Sequence, residues 1–166
     1  MPARSNADEW QVLIFDTGPL WELILYSAVH QLRFQSLEGE LRHLKKPEYH
    51  SRLAEFVNRF PQRTTSSQVV SEIGAWISRT KKTGRNDIWR IVRDEFEAMK
   101  MDEMAMKFLE MRFDLVANDG IADASVLHLG LRLAERRPQV LTIDRDLETE
   151  CKRNRIDAIN LWEIIG

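Results

Sequence analysis

The sequence predicts a three-layer α/β/α fold, in which helices cover both faces of a parallel sheet of about five strands. The chain has 166 residues, of which 43% are apolar, and this is enough to bury the core of one domain. Short apolar runs such as 12–15 and 140–143 alternate with longer segments of helical periodicity. Acidic residues directly follow these two runs, as ligand-binding residues do at the carboxyl edge of a parallel sheet.

The elements are predicted from apolar periodicity and from capping residues. Ser66, Asn86 and Asp102 are expected helix caps, and Pro47 and Pro138 are expected element boundaries. We expect one domain over residues 1–166, with a long helical insertion at about 35–61. The predicted strands lie at about 12–15, 63–65, 97–101, 140–143 and 156–161, and the predicted helices at about 18–34, 48–59, 67–80, 87–94, 103–116, 120–136 and 146–153.

Asp123 is the most informative residue, because it is a carboxylate on a helical row that is otherwise apolar. That row, which we expect to pack inward, continues through Leu127, Gly130, Leu131 and Ala134. The polar side of the same helix is expected to carry Ser125, His128, Arg132, Glu135 and Arg136. An inward carboxylate requires a partner, a proton or a metal ion.

Three further acids occupy similar positions. Asp16 and Asp144 each follow an apolar strand and precede a helix, so the two side chains are expected to converge at one edge of the sheet. Glu72 lies beside an apolar helical stripe, one turn before Trp76. Each acid alone is more often a helix cap or a hydrogen-bonded buried group, but one shared site accounts for all four.

Four short motifs carry a resemblance to a known family. They are Phe15-Asp-Thr-Gly18, Val69-Val-Ser-Glu-Ile73, Ile121-Ala-Asp-Ala-Ser-Val126 and Leu141-Thr-Ile-Asp-Arg-Asp-Leu147. In this order, over roughly residues 12–162, the chain resembles the PIN-domain nucleases, including VapC-type toxin ribonucleases. The resemblance implies the strand order 3-2-1-4-5. The long segment 35–61 departs from the compact toxin pattern.

The resemblance also implies a set of site residues. Asp16, Glu72, Asp123 and Asp144 match the catalytic acids that bind metal. Thr17 and Thr142 match supporting hydroxyl positions. Asp146 is either a fifth contributor or the cap of the following helix, and Asp119 is expected to be a cap as well.

The chemistry of such a site follows from charge. Four converging carboxylates need cations, and hard oxygen ligands favour Mg²⁺ or Mn²⁺ over zinc. A divalent ion held in this way activates water for attack on a phosphodiester, and a second ion would stabilise the leaving oxygen. The charge of the site therefore predicts phosphodiester hydrolysis, and the family resemblance implies a metal-dependent endoribonuclease, which we expect to be cytoplasmic. The alternatives are a PIN-like module that binds RNA or protein without cleavage, and a phosphoryl-transfer enzyme with Asp16 as the phosphoacceptor; the residues that follow Asp16 and Asp144 disfavour the second.

Basic clusters suggest how RNA would be held, although the net charge is only −2. Lys81, Lys82 and Arg85 are the predicted phosphate-binding residues, and further basic residues stand at 42–46 and 132–155. A solvated charged face is the alternative for each cluster.

Partners are predicted from apolar features and from the resemblance. The first helix is apolar nearly all round, and five of the six methionines lie between residues 99 and 111. Most should be core, and the remainder would form a dimer face or a groove for a partner. The resemblance implies a homodimer and a cognate antitoxin. No apolar run is long enough for a membrane span, the N-terminus lacks a signal-peptide core, and Cys151 is expected to be an idle thiol.

Overall fold

The computed structural model describes residues 11–32, 34–80 and 84–166. Five parallel strands form one sheet in the order β3-β2-β1-β4-β5, which confirms the predicted topology. The strands are β1 (Val12–Phe15), β2 (Gln62–Ser66), β3 (Met101–Met104), β4 (Pro138–Thr142) and β5 (Asp157–Asn160).

Helices cover both faces of the sheet. All four side chains of the central strand β1 are fully buried, although successive side chains of a strand point to opposite faces. This burial requires a helical layer on each face, as the sequence predicts. The α-helices are α1 (Thr17–Gln31), α2 (Pro47–Asn58), α3 (Ser67–Arg79), α4 (Arg85–Met99), α5 (Phe113–Asp119), α6 (Ile121–Arg132), α7 (Arg145–Arg153) and α8 (Leu161–Ile165), with short 3-10 helices at Gln35–Glu40, Phe108–Glu110 and Ala134–Arg136.

The region around β3 differs from its prediction. Lys100 adopts a left-handed conformation with φ 49° and ends α4, so 97–99 are helical and the strand begins only at Met101. β3 is an edge strand whose side chains are exposed or half-buried, and its apolar pattern is correspondingly weak. The helix predicted at 103–116 is therefore wrong, because this stretch contains the end of β3, a 3-10 turn and the start of α5.

Element ends follow local chemistry. The predicted cap Ser66 is confirmed, since its Oγ accepts a 3.1 Å hydrogen bond from Val69 N at the start of α3. Asn86 and Asp102 are not caps: Gly84 precedes α4 with φ 125°, and Asp102 lies within β3. The last helix, α8, was not predicted, and its cap Asn160 forms a capping box with Glu163.

The segment between α1 and β2 is held to the core by one buried carboxylate. Glu22 on α1 is 4% exposed and accepts hydrogen bonds from the backbone N–H groups of Arg42, His43 and Leu44 at 2.9, 2.9 and 3.0 Å. His43 Nδ1 lies 3.2 Å from Glu22 Oε1 but does not form a hydrogen bond of good geometry. Because the carboxylate satisfies three amides that would otherwise lack partners, it fixes the path of residues 42–44.

Within the described ranges, none of the helices has both the length and the apolar character that a bilayer crossing requires.

We expect Glu22→Ala to destabilise the protein by at least about 2 kcal/mol, because three amides near the core lose their acceptor. Glu22→Gln should lie between the alanine variant and wild type, because its amide group retains one acceptor oxygen. Urea unfolding measures both, with the exposed Glu40→Ala as the control. A Glu22→Ala variant as stable as Glu40→Ala would show that this anchor does not stabilise the fold.

Candidate acidic metal centre

The centre begins where β1 and β4 end side by side. The strand register pairs Phe15 with Leu141, and Asp16 N continues the pairing with a 3.0 Å hydrogen bond to Leu141 O. The Asp16 side chain is only 4% exposed. Its Oδ2 accepts from Thr142 Oγ1 at 2.6 Å and its Oδ1 from Thr17 N at 2.7 Å. Both carboxylate oxygens are thus oriented by neighbours at the sheet edge.

Glu72 joins the centre from α3. Thr17 Oγ1 donates a 2.5 Å hydrogen bond to Glu72 Oε2, so the residue after Asp16 connects the end of β1 to α3. The start of α3 is positioned by the cap Ser66 at the end of β2. The neighbouring strands β1 and β2 therefore deliver the first two acids to the same edge.

Asp123 lies in the first turn of α6 and is half-buried. The α6 helix is held against the start of α3 by a buried 2.6 Å hydrogen bond between the hydroxyl groups of Ser66 and Ser125. Ser125 is fully buried, so its expected place on a solvent-facing side was wrong. The inward row was also only partly correct: Leu127 and Gly130 are buried, whereas Leu131 and Ala134 are exposed.

Asp144 is the N-cap of α7. Its Oδ1 accepts from Asp146 N at 2.7 Å and from Leu147 N at 3.2 Å, while its own N–H donates to Thr142 Oγ1 at 2.9 Å. The cap of this helix is therefore Asp144, and Asp146 is an exposed residue of its first turn. Asp119, expected to be a cap, is the last residue of α5.

Asp16 and Asp123 are desolvated and are repelled by the charges of the other acids, whereas Asp144 is exposed. Burial raises the pKa of Asp16 to about 6, with Glu72 and Asp144 adding to the rise against the lowering effect of its hydrogen bonds. Burial also raises the pKa of Asp123 to about 8, and the charges of Asp16, Asp144 and Glu72 contribute. The four acids predicted from separate parts of the sequence therefore share one electrostatic environment.

Comparisons with known proteins address the fold. No family model matches the sequence, and no curated protein matches it. Among solved structures, VapBC2 from Rickettsia felis, bound to a DNA fragment from its promoter, aligns with TM-score 0.52 and 14% identity over 90% of this chain and 98% of that chain. A PilT N-terminus domain protein from the archaeon Sulfolobus solfataricus P2 aligns with TM-score 0.49 and 13% identity over 93% of this chain and 91% of that chain.

The chain has a PIN-like fold. The strand order and the likeness to the Rickettsia felis structure carry this conclusion. At 14% identity the likeness concerns the fold, and activity must be argued from this chain's own residues.

The donor set of this acidic centre suits a hard divalent cation. Its side chains supply carboxylate oxygens from Asp16, Glu72, Asp123 and Asp144, without an imidazole or thiolate group among them. Within residues 11–32, 34–80 and 84–166, no group of three or more acidic, histidine or cysteine side chains is assembled closely enough to hold an ion. Three of the four carboxylates are instead engaged with hydroxyl or amide donors.

The predicted phosphate-binding residues are only partly covered by the structure. Lys81 and Lys82 lie outside the described residues. Arg85 is described, and its guanidinium donates to the carbonyl oxygens of Ser78 and Thr80 at the end of α3. In this structure the Arg85 guanidinium therefore caps the C-terminal carbonyl groups of α3.

Sequence reasoning did not find the close contact beside Asp16. A Cβ atom placed on Gly18 would lie 2.4 Å from Ile143 Cγ1, so only glycine lets the start of α1 approach the end of β4 this closely. The Asp-Thr-Gly sequence was visible, but the partner of the glycine depends on the strand pairing.

We expect the metal-free protein to lose stability as pH rises from about 4 to 8. The pKa of Asp123 is raised from 3.8 to about 8 on folding, so the folded chain binds this proton more tightly than the unfolded chain over that interval. Asp123→Asn removes this contribution, while the smaller contribution of Asp16, whose pKa is raised to about 6, remains. In chelator at pH 8 the variant should exceed wild type by at least the equivalent of one pKa unit, about 1.4 kcal/mol, and by less at pH 5.

Urea unfolding across this pH range measures the difference, with the exposed Asp94→Asn as the matched control. If Asp123→Asn and wild type showed parallel pH profiles, the carboxyl would not be desolvated as described.

Proposed function

We propose that this chain is a metal-dependent endoribonuclease of the VapC type and the toxin component of a toxin–antitoxin pair. The observation that carries the proposal is the coupling of Asp16, Glu72, Asp123 and Asp144 at one sheet edge, where burial and like charge raise the pKa of two of them. Asp16 and Asp144 also cap α1 and α7, but capping alone does not explain the arrangement, because neutral capping residues would avoid the repulsion that raises the pKa of Asp16 and Asp123. The PIN-like fold supports the same assignment.

Mg²⁺ or Mn²⁺ is the proposed cofactor, held by Asp16, Glu72, Asp123 and Asp144. When bound, such an ion supplies an activated water and neutralises the negative charge that develops on the phosphate. Oxygen donors alone favour these ions over zinc, which prefers nitrogen and sulfur ligands.

The chain's own residues prepare the site for this cofactor. The Thr142 hydroxyl and the Thr17 amide orient the two oxygens of Asp16, and the Thr17 hydroxyl orients Glu72. Burial raises the pKa of Asp123 to about 8, so its carboxyl group is largely protonated near neutral pH in the metal-free protein and would have to lose this proton to bind a metal ion. Lys81, Lys82 and Arg85 remain proposed phosphate contacts, and Asp146 a proposed supporting residue.

Exposed apolar side chains suit a protein partner. Leu109 and Phe113 are 93% and 74% exposed, and Phe108 and Ile121 lie near them in the chain with 52% and 46% exposure. Met106 and Met111 are buried and Met99, Met101 and Met104 pack against the core, so the methionines themselves form little of this surface. We assign residues 108–121 to contact with an antitoxin or with a second copy of the chain, within the cytoplasm.

We expect Mg²⁺ or Mn²⁺ to raise the melting temperature of the protein by several degrees, because only the folded chain assembles the ligands. Asp16→Asn and Asp123→Asn should each abolish most of the rise. Asp119→Asn is the matched control, because Asp119 shares the negative environment without being a proposed ligand. Differential scanning calorimetry at pH 8 provides the measurement, and an unchanged metal shift in both site variants would exclude the proposed ligands.

We expect purified protein to cleave RNA only with Mg²⁺ or Mn²⁺. Asp16→Asn or Asp144→Asn should lower the cleavage rate at least about a hundredfold, because loss of a ligand removes several kcal/mol of transition-state stabilisation. Asn at 144 keeps an oxygen that can cap α7, so the variant should retain its fold. A gel assay with chelator controls gives the rate.

Metal-independent cleavage would indicate a contaminant or another chemistry. Metal binding without cleavage of any RNA would favour the alternative function, an RNA- or protein-binding module.

A further inference from the structure

A pocket of about 470 Å³ opens beside the acidic centre. Gly18 and Ile143, which line one side, directly adjoin Thr17 and Asp144 in the chain. Trp76, which lines another side, follows Glu72 by one helical turn. The pocket therefore lies beside the edge of the sheet at which phosphodiester cleavage is proposed, although none of the four acids lines it.

Two tryptophans give the pocket an aromatic surface. Trp21 and Trp76 form an edge-to-face pair, with ring centroids 5.7 Å apart and planes inclined at 76°. Trp21 is 8% exposed, whereas Trp76 is only partly buried. Because Trp76 lines the pocket and is only partly buried, part of its ring is accessible to a ligand in the pocket.

The outer wall comes from the segment that departs from the compact toxin pattern. Gly39, Glu40, Arg42 and His43 line the pocket, and the hydrogen bonds to the buried carboxylate of Glu22 hold residues 42–44 in place. The wall is therefore anchored to α1, the helix that begins next to Asp16. Residues 39–43 of the 35–61 segment therefore contribute to the pocket beside the acidic centre.

Positive charge stands at the mouth of the pocket. Arg42 and Arg79 are both exposed and line it. Their guanidinium groups can contact phosphates of a bound strand or stack on an aromatic ring. Glu40 partly offsets this charge, and the carboxylate of Glu22 is engaged by the backbone amides.

We propose that this pocket binds one unpaired nucleobase of the RNA strand, stacked against Trp76, next to the phosphodiester that is cleaved. The inference rests on the proposed nuclease function and adds to it a base-binding subsite built by the insertion. A nucleobase fits the combination of an aromatic wall, flanking arginines and a position beside the proposed phosphodiester site. A peptide side chain would not need to bind next to that site.

The test combines protein variants with abasic RNA. A 12-nucleotide RNA that wild type cleaves, or a mixed-sequence RNA of that length if none is cleaved, is prepared with a single abasic residue at each position in turn. Dissociation constants are measured by fluorescence anisotropy in chelator. Wild type should lose about tenfold in affinity at one or two positions, because stacking of one base contributes roughly that much.

Trp76→Leu should bind the intact RNA about tenfold more weakly and lose nothing further with the sensitive abasic RNA, since both changes remove the same contact. Trp76→Phe keeps an aromatic face and should keep the position dependence. Trp89→Leu is the matched control, because Trp89 is a 42% exposed tryptophan that packs over Gly74 and does not line the pocket.

Two results would overturn the base-binding subsite. One is Trp76→Leu binding intact RNA as tightly as Trp89→Leu does. The other is a loss of affinity on Trp76→Leu substitution that is the same for intact RNA and for every abasic RNA. This result is expected if the pocket binds a protein segment or only supports the shape of the surface.

Cleavage tests the nuclease proposal separately from the base-binding subsite. Metal-dependent cleavage with a flat abasic profile rejects the subsite alone, and a position-dependent profile without cleavage rejects the nuclease alone. Absence of both binding and cleavage rejects both.

Discussion

The parallel pairing of β1 with β4 is the constraint on which the acidic centre depends. It places the end of one strand beside the end of the other, so that Asp16 receives a hydrogen bond from Thr142, 126 residues away in the sequence. The same pairing brings Ile143 against Gly18 and starts α1 and α7 at one edge. If β4 slipped by one residue, its side chains would exchange faces and Thr142 would point away from Asp16.

Two buried carboxylates on neighbouring parts of α1 show how environment separates structure from function. Glu22 accepts three backbone hydrogen bonds and anchors a loop, so its burial is offset by partners. Asp16 also accepts hydrogen bonds, yet it faces other acids and its pKa is raised to about 6. Burial with satisfied partners indicates a structural role, whereas burial beside like charges makes Asp16 a candidate functional residue.

The two carboxylates are also linked through the pocket. Gly18, two residues after Asp16, lines one side of the pocket. Glu22 holds the segment that forms the outer side. One helix, α1, therefore positions both the acidic centre and the wall beside it. The fold alone does not require the wall of the pocket, because a shorter connection between α1 and β2 would still allow the parallel pairing of the strands.

Much of the architecture was predictable, because β1, β4 and the long helices have strong periodic patterns and clear caps such as Ser66. The errors fell where local patterns are weak. Edge strand β3 is half-exposed, so the strand was predicted too early, at about 97–101, and its last residues 103–104 were mistaken for the start of a helix. The five-residue α8 is too short to show a period. Ser125 was placed on a solvated face because its partner, Ser66, belongs to another helix cap 59 residues earlier.

The sequence by itself determined which residues carry unusual charge: an acid after each of two apolar strands, one on an apolar helical row and one beside an apolar stripe. Such positions are visible locally, because hydrophobic periodicity states which side of an element is buried. Only the tertiary structure decided that the four acids share one electrostatic environment, that Asp144 rather than Asp146 caps α7, and that Trp21 meets Trp76. These facts depend on which distant segments lie side by side, and the periodicity of a single segment does not identify its neighbours.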